Sequence, residues 1–236
     1  MRFPLRLSAA LLRTRVSTLL AGSPSSSPIF HMTSGEDGIA QAKSANSPIV
    51  WLGGEEPLLH PEIGRLTNHL LEESRHVFLH TDGYNLRQRI HAFRPDSRLF
   101  LTLQFAGLEE THNGVMGRSD AFRRSLEGIR AAKLSGFLVA AHFTVTPETD
   151  ACEIGELIEC LDNRDVDGFI VSSGGQVMAG KKTSLSETLA DARAMIRCSR
   201  WENFSRLLED SYSDGASVRT LEKMSAPGEG AYEEGD

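Results

Sequence analysis

Five short apolar runs, separated by single amphipathic stretches, set the terms on which this chain can fold. They occupy residues 48–52, 76–80, 98–105, 137–145 and 168–171. Between them Ile63, Leu66, Leu70 and Leu71 recur at helical spacing, as do Phe122, Leu126, Ile129 and Leu134, and then Ile154, Leu157, Ile158 and Leu161. Apolar residues at that period line one helix face, whereas short continuous runs suit strands buried on both sides. Leu86 and Ile90 predict a short helix closed by Pro95, and residues 185–196 and 201–208 predict two more. A helix between two strands must cross over and bring them parallel. The pattern predicts an α/β fold, a partial (β/α) barrel with about five parallel strands. A chain of 236 residues is short for a complete eightfold barrel of about 250.

The two ends are different material. Residues 1–31 carry Arg2, Arg6, Arg13 and Arg15 and no acid, and residues 22–28 are rich in Ser and Pro. This reads as a disordered basic leader, either a targeting segment or a stretch foreign to the fold, with Met32 the original start. Residues 213–236 read as a flexible acidic tail, with Glu229, Glu233, Glu234 and Asp236 near its end. The α/β domain is therefore expected over residues 32–212. A formal charge of −7 argues against a sequence-independent grip on nucleic acid. Three cysteines, Cys152, Cys160 and Cys198, make no disulfide scaffold and suit a reducing, cytoplasmic setting. No apolar run reaches the length of a membrane-spanning helix. The expected partner is a small molecule, and nothing in the sequence sets an oligomeric state.

In parallel α/β architectures ligands sit at the carboxyl ends of the strands. The turns there are Gly53-Gly54-Glu55-Glu56-Pro57, Thr81-Asp82-Gly83, Ala106-Gly107-Leu108-Glu109-Glu110 and Ser172-Ser173-Gly174-Gly175. Glycine in any one of them could simply end a strand. Together, glycines, carboxylates and hydroxyls along one edge suit a ligand carrying an amino group and hydroxyls.

In order along the chain, these segments resemble the core of the radical S-adenosylmethionine superfamily. Residues 53–63 are similar to that family's Gly-Gly-Glu-Pro-Leu-Leu segment, and Thr81-Asp82-Gly83 to its Thr-Asn-Gly turn. Residues 103–113, followed by Phe122 and Ile129-Arg130-Ala131-Ala132-Lys133, resemble the hopanoid-pathway adenosyl-hopene transferase subgroup. There the pattern is Asp-Gly, Glu and His-Asp; here it reads Ala106-Gly107, Glu110 and His112-Asn113. The resemblance spans about residues 38–175. It implies S-adenosylmethionine as cofactor, with Gly53, Gly54, Glu55, Glu56, Thr81, Asp82, Gly83, Ser172 and Ser173 as its binding residues. Glu56 takes the place of the family's Glu, which meets the methionyl amino group. Glu55 stands where the family has a second glycine, and Ser172 and Ser173 border the adenosine. In intact relatives of this type the resemblance implies adenosyl-radical chemistry on an apolar or isoprenoid substrate.

The family holds a [4Fe–4S] cluster with a Cys-x3-Cys-x2-Cys loop after its first strand, yet residues 1–151 contain no cysteine. Cluster iron needs converging thiolates, so the first family strand is read as missing or replaced and the chain as cluster-deficient. A non-catalytic module binding S-adenosylmethionine or a nucleotide, or a truncated gene product, are the other readings. His76 and His80, four apart on a strand, are too far separated to chelate a metal. No Gly-x-Ser-x-Gly elbow or P-loop spacing occurs. The aromatic patch at Trp201 and Phe204 predicts a terminal helix packed on the sheet.

Overall fold

A computed structural model describes residues 3–21, 29–33, 47–146, 149–174 and 182–214. Six strands pair in parallel in the order of the chain: β1 (Ile29–Thr33), β2 (Ile49–Gly53), β3 (His76–Thr81), β4 (Leu99–Phe105), β5 (Leu138–Val145) and β6 (Gly168–Ser173). The helices are α1 (Leu5–Ala21), α2 (Ile63–Glu72), α3 (Leu86–Arg89), α4 (Glu109–Met116), α5 (Ala121–Leu134), α6 (Ala151–Asp162), α7 (Lys182–Ala194) and α8 (Ser199–Asp214). Short 3-10 turns cover Pro57–Leu59 and Ile90–Ala92. No described helix is long and apolar enough to cross a membrane. The acidic end of the chain lies outside the described residues.

The predicted partial barrel is present, with one strand more than the five expected. The extra strand, β1, begins inside the basic leader, and α1 makes the leader helical where disorder was expected. Both were illegible for the same reason. Ile29-Phe30-His31-Met32-Thr33 is too short and mixed to stand out, and α1 lacks a clean apolar stripe because Arg13 and Arg15 interrupt it. Tertiary contacts order them instead: β1 pairs along β2, and Phe3 and Leu7 are buried, with Phe3 meeting the Trp201 ring edge-on at 4.9 Å.

Successive strand residues point to opposite faces. Val50, Leu52, Val77, Leu79, Leu101, Leu103, Phe105, Val139, Ala141, Phe143, Phe169 and Val171 lie fully buried under the helices. The other face is concave and holds Trp51, Phe78, His80, Phe100, Thr102, Gln104, His142 and Ser172. Its floor is aromatic: Phe78 stacks on Phe100 at 4.6 Å and on Phe204 of α8 at 4.8 Å. The terminal helix therefore packs on the sheet as predicted, and it does so from the concave side.

Helix α8 also closes the open edge. The Val171 amide donates to Ser205 Oγ at 3.0 Å and the Ser173 amide to Glu209 Oε1 at 3.2 Å. At the opposite edge His31 Nε2 meets Ser211 Oγ at 2.7 Å. Side chains of one helix thus satisfy edge groups of β6 that would otherwise template another strand.

Candidate functional site

The turn after β2 is built around one carboxylate. Gly54 has φ +92°, which a side chain resists, and the chain then drops into the 3-10 turn at Pro57. Glu56 caps that turn: its Oε1 accepts from the Leu58 amide at 3.0 Å. The same oxygen accepts from Thr81 Oγ1 at 2.5 Å, and Oε2 accepts from the Asp82 amide at 2.8 Å. Thr81 Oγ1 in turn accepts from the Gly83 amide at 3.0 Å, and Gly83 adopts φ +77°. A Cβ on Gly83 would stand 2.7 Å from Leu103 Cδ2 and 3.2 Å from Ser125 Oγ, so a side chain here would be crowded as well as strained by the positive φ. Glu56, Thr81, Asp82 and Gly83, read from two separate motifs, are therefore one hydrogen-bonded cluster. Glu55 is exposed at its rim.

Burial raises the Glu56 pKa to about 7, and the Asp82 charge adds to it, against the lowering effect of the bonds from Thr81, Asp82 and Leu58. A carboxylate in this state is short of positive charge. A ligand ammonium beside it would make a charge-assisted bond and draw the pKa down.

Ser172 and Ser173 part company. Ser172 faces the concave side, where its Oγ meets His142 Nε2 at 2.7 Å, and His142 Nδ1 meets His80 Nε2 at 2.9 Å. Ser173 is instead held at the sheet edge by Glu209 of α8, through its amide and its hydroxyl. Trp51 covers the histidine pair, 5.2 Å from the His80 ring and 5.4 Å from that of His142. Burial lowers the His80 pKa to about 4, helped by His31, and takes His142 well below its usual value, helped by His80. Both rings are neutral at pH 7. His76 and His80 share a strand face as expected, and His80 finds its partner two strands away.

Two further side chains on this face were not singled out in the sequence. Thr102 Oγ1 and Gln104 Oε1 are buried with no partner among the described residues. Buried polar atoms are nearly always bonded, so these mark where a polar ligand or a water would be satisfied. Period-two alternation would have placed them beside His80 and His142 by register, since Thr102 pairs with His80 and Gln104 with His142.

The glycine turns, Glu56 and the unpartnered atoms on the concave face suit a polar ligand with an amino group, as S-adenosylmethionine is. The cysteines do not suit an iron–sulfur cluster. Cys152 is exposed in the first turn of α6, Cys160 lies half-buried two turns along with its Sγ 3.1 Å from Arg164 Nη1, and Cys198 precedes α8. Among the described residues no group of three His, Cys, Asp or Glu could hold a metal. Residues 34–46, between β1 and β2, contain no cysteine in the sequence.

The sequence model of the radical SAM superfamily matches residues 33–161. A pre-heme d1 synthase from Dinoroseobacter shibae is 26% identical over 129 residues, 53% of this chain and 31% of that protein. An AdoMet-dependent heme synthase from Methanosarcina barkeri is 30% identical over 128 residues, 52% of this chain and 37% of that protein. The chain thus spans about a third of the length of these curated relatives. In fold it is similar to Streptococcus suis SuiB, crystallised with S-adenosylmethionine, at a TM-score of 0.52 and 18% identity, covering 66% of this chain and 39% of SuiB. These relatives carry haem-synthase names where the sequence motifs suggested a hopanoid-type transferase, so the resemblance stands at the level of the superfamily.

Proposed function

The chain belongs to the radical SAM superfamily, and from that footing we propose that the mouth of its half-barrel binds S-adenosylmethionine. The observation that carries this reading is Glu56, a carboxylate held near pH 7 by burial and by Asp82, at the strand end where the superfamily's Gly-Gly-Glu segment lies. Glu56 is assigned to the methionyl ammonium. Gly53 and Gly54 leave the backbone open to close approach, Thr81 and Gly83 keep the second turn in place, and Ser172 borders the adenosyl group. Bound S-adenosylmethionine supplies a sulfonium and an adenosyl group to chemistry at this mouth. Without thiolates for a cluster, this chain supplies no electron to cleave the sulfonium bond, and no radical step is assigned to it. The haem-synthase names of the two relatives favour a small-molecule substrate, and no isoprenoid is proposed.

Calorimetry with S-adenosylmethionine tests the reading. Glu56→Gln keeps an acceptor and a similar volume but removes the charge, and it is expected to weaken binding by about tenfold or more. Glu62→Gln, on an exposed side chain, should leave binding unchanged. Because only ionised Glu56 attracts an ammonium, wild-type affinity should fall below pH 7, by up to about tenfold per pH unit, and the Glu56→Gln protein should lack that dependence. Equal heats for wild type and Glu56→Gln would remove Glu56 from the site. Anaerobic iron–sulfide reconstitution is expected to leave iron and sulfide far below cluster stoichiometry. A stoichiometric [4Fe–4S] cluster would overturn the reading of this chain as cluster-deficient.

A further inference from the structure

At the corner where β3 and β4 end, a cation stands half-used. Tyr84 follows Gly83, and its ring carries the Arg118 guanidinium at 4.5 Å and that of Arg124 at 5.3 Å. Arg124 is committed, its Nε donating to Asp120 Oδ2 at 3.1 Å. Among the described residues the Arg118 side chain makes a single bond, from Nη1 to Asp82 Oδ2 at 3.3 Å, and it is 49% exposed. A guanidinium has five N–H donors, so most of this one's capacity faces outward. The Tyr84 ring fixes its plane, which lowers the ordering cost of any ligand it chelates.

A buried donor lies on α4, just ahead of Arg118 in the chain. His112 is wholly buried between Phe105, at 5.3 Å, and Phe122, at 5.9 Å. Its Nδ1 accepts the Ala106 amide at 3.4 Å, which leaves the ring proton on Nε2. Nε2 is buried and has no partner among the described residues. Asp82 takes the Arg118 bond. Asp82 itself is held by the Tyr84 amide, which donates to Oδ1 at 2.9 Å. Among the described residues the Arg118 guanidinium therefore keeps N–H donors that no hydrogen bond uses.

We propose that this corner recognises an anionic group, a carboxylate or phosphate, on a small molecule occupying the mouth of the half-barrel, with Arg118 as the residue that selects for it. The proposal deepens the reading of the mouth as a ligand site and rests on it. An oxyanion fits the donor set better than a neutral group does, because the Arg118 fork can take two of its oxygens at once.

The test is calorimetry on the full chain at low ionic strength with two probes, succinate and inorganic phosphate, and with S-adenosylmethionine in parallel. Wild type is expected to bind one of the two anions, and which one it prefers distinguishes a carboxylate from a phosphate ligand. Arg118→Gln should weaken that binding at least tenfold, and Arg118→Lys, which keeps the charge but loses the fork, by a smaller factor. Arg65→Gln, on a side chain 84% exposed on α2, should change nothing. Loss of anion binding in Arg118→Gln with S-adenosylmethionine affinity retained supports the assignment. Binding of neither anion by wild type, or equal anion affinity in wild type and Arg118→Gln, overturns it. A wild type that binds the anion but not S-adenosylmethionine keeps this assignment and defeats the cofactor reading, so the two failures are distinguishable.

Discussion

Acidification from pH 7 to pH 5 is expected to destabilise this protein markedly. Five histidines, His31, His76, His80, His112 and His142, are held below their ordinary pKa chiefly by burial, four of them at about 4. The unfolded chain protonates each near pH 6.5, whereas the folded chain resists until about pH 4 at His31, His76, His80 and His112, and burial likewise holds His142 well below the ordinary range. Between those limits the unfolded state binds more protons, so stability is present above pH 6.5 and is lost as pH falls. A ring held at about 4 gives up about 2 kcal/mol between pH 7 and pH 5. Counting only His80 and His112, which are 5% and 0% exposed, the loss is on the order of 4 kcal/mol, and His142 adds to it in the same direction.

Glu56 works the other way. Its raised pKa means the folded state takes up a proton first, which offsets about 2 kcal/mol over the same interval. Against that one opposing proton, His80 and His112 alone leave a net loss of about 2 kcal/mol, a sizeable part of the about 5–15 kcal/mol by which many domains are stable, and His31, His76 and His142 deepen it. Thermal melts followed by far-ultraviolet circular dichroism from pH 7.5 to 4.5 would read it. A melting temperature that stays flat to pH 4.5 would show that the rings are not neutral in the fold.

The second large effect is expected at Trp201. This side chain is fully buried against the start of β6, edge-on to Phe3 at 4.9 Å and to Phe100 at 5.8 Å. Its Nε1 donates to the Asp167 carbonyl at 3.1 Å. Trp201→Ala should cost about 3–5 kcal/mol in cavity and transfer terms, with about 1 kcal/mol more for the lost hydrogen bond. Gly168 explains why the contact is so close: a Cβ there would lie 2.2 Å from the Trp201 ring. Gly168→Ala should therefore destabilise the wild type strongly and the Trp201→Ala protein far less. Urea titrations of the four proteins give the coupling directly. Additive losses would place α8 elsewhere than on the concave floor.

The rhythm of apolar runs was enough to locate β2 to β6 and the helices α2, α3, α5 and α6, with α7 shifted by two or three residues and α8 read too short at both ends. Each of these carries its own period. Helix α4 escaped because Glu109-Glu110-Thr111-His112-Asn113 has no apolar stripe; it is held by its surroundings, the Leu108 amide donating to Glu153 Oε1 at 2.7 Å. Strand β1 escaped because five residues beside a basic stretch give no pattern until a neighbouring strand pairs with them.

The candidate site divides along the same line. Gly54, Glu56, Asp82 and Gly83 could be read from the chain because glycine at a strand end, followed by a carboxylate or hydroxyl, is a local signal of backbone geometry and charge. That Glu56 bonds to Thr81 and Asp82, 25 and 26 positions away, is decided by the parallel pairing of β2 with β3, which sets their ends side by side. The His80–His142–Ser172 chain joins three strands and has no signature along any one of them. Local chemistry fixed which turns could hold a ligand. Which side chains share the concave face, which of them are left unpaired there, and that α8 fills its floor depend on residues far apart in the chain being buried together, and only the folded sheet decides that.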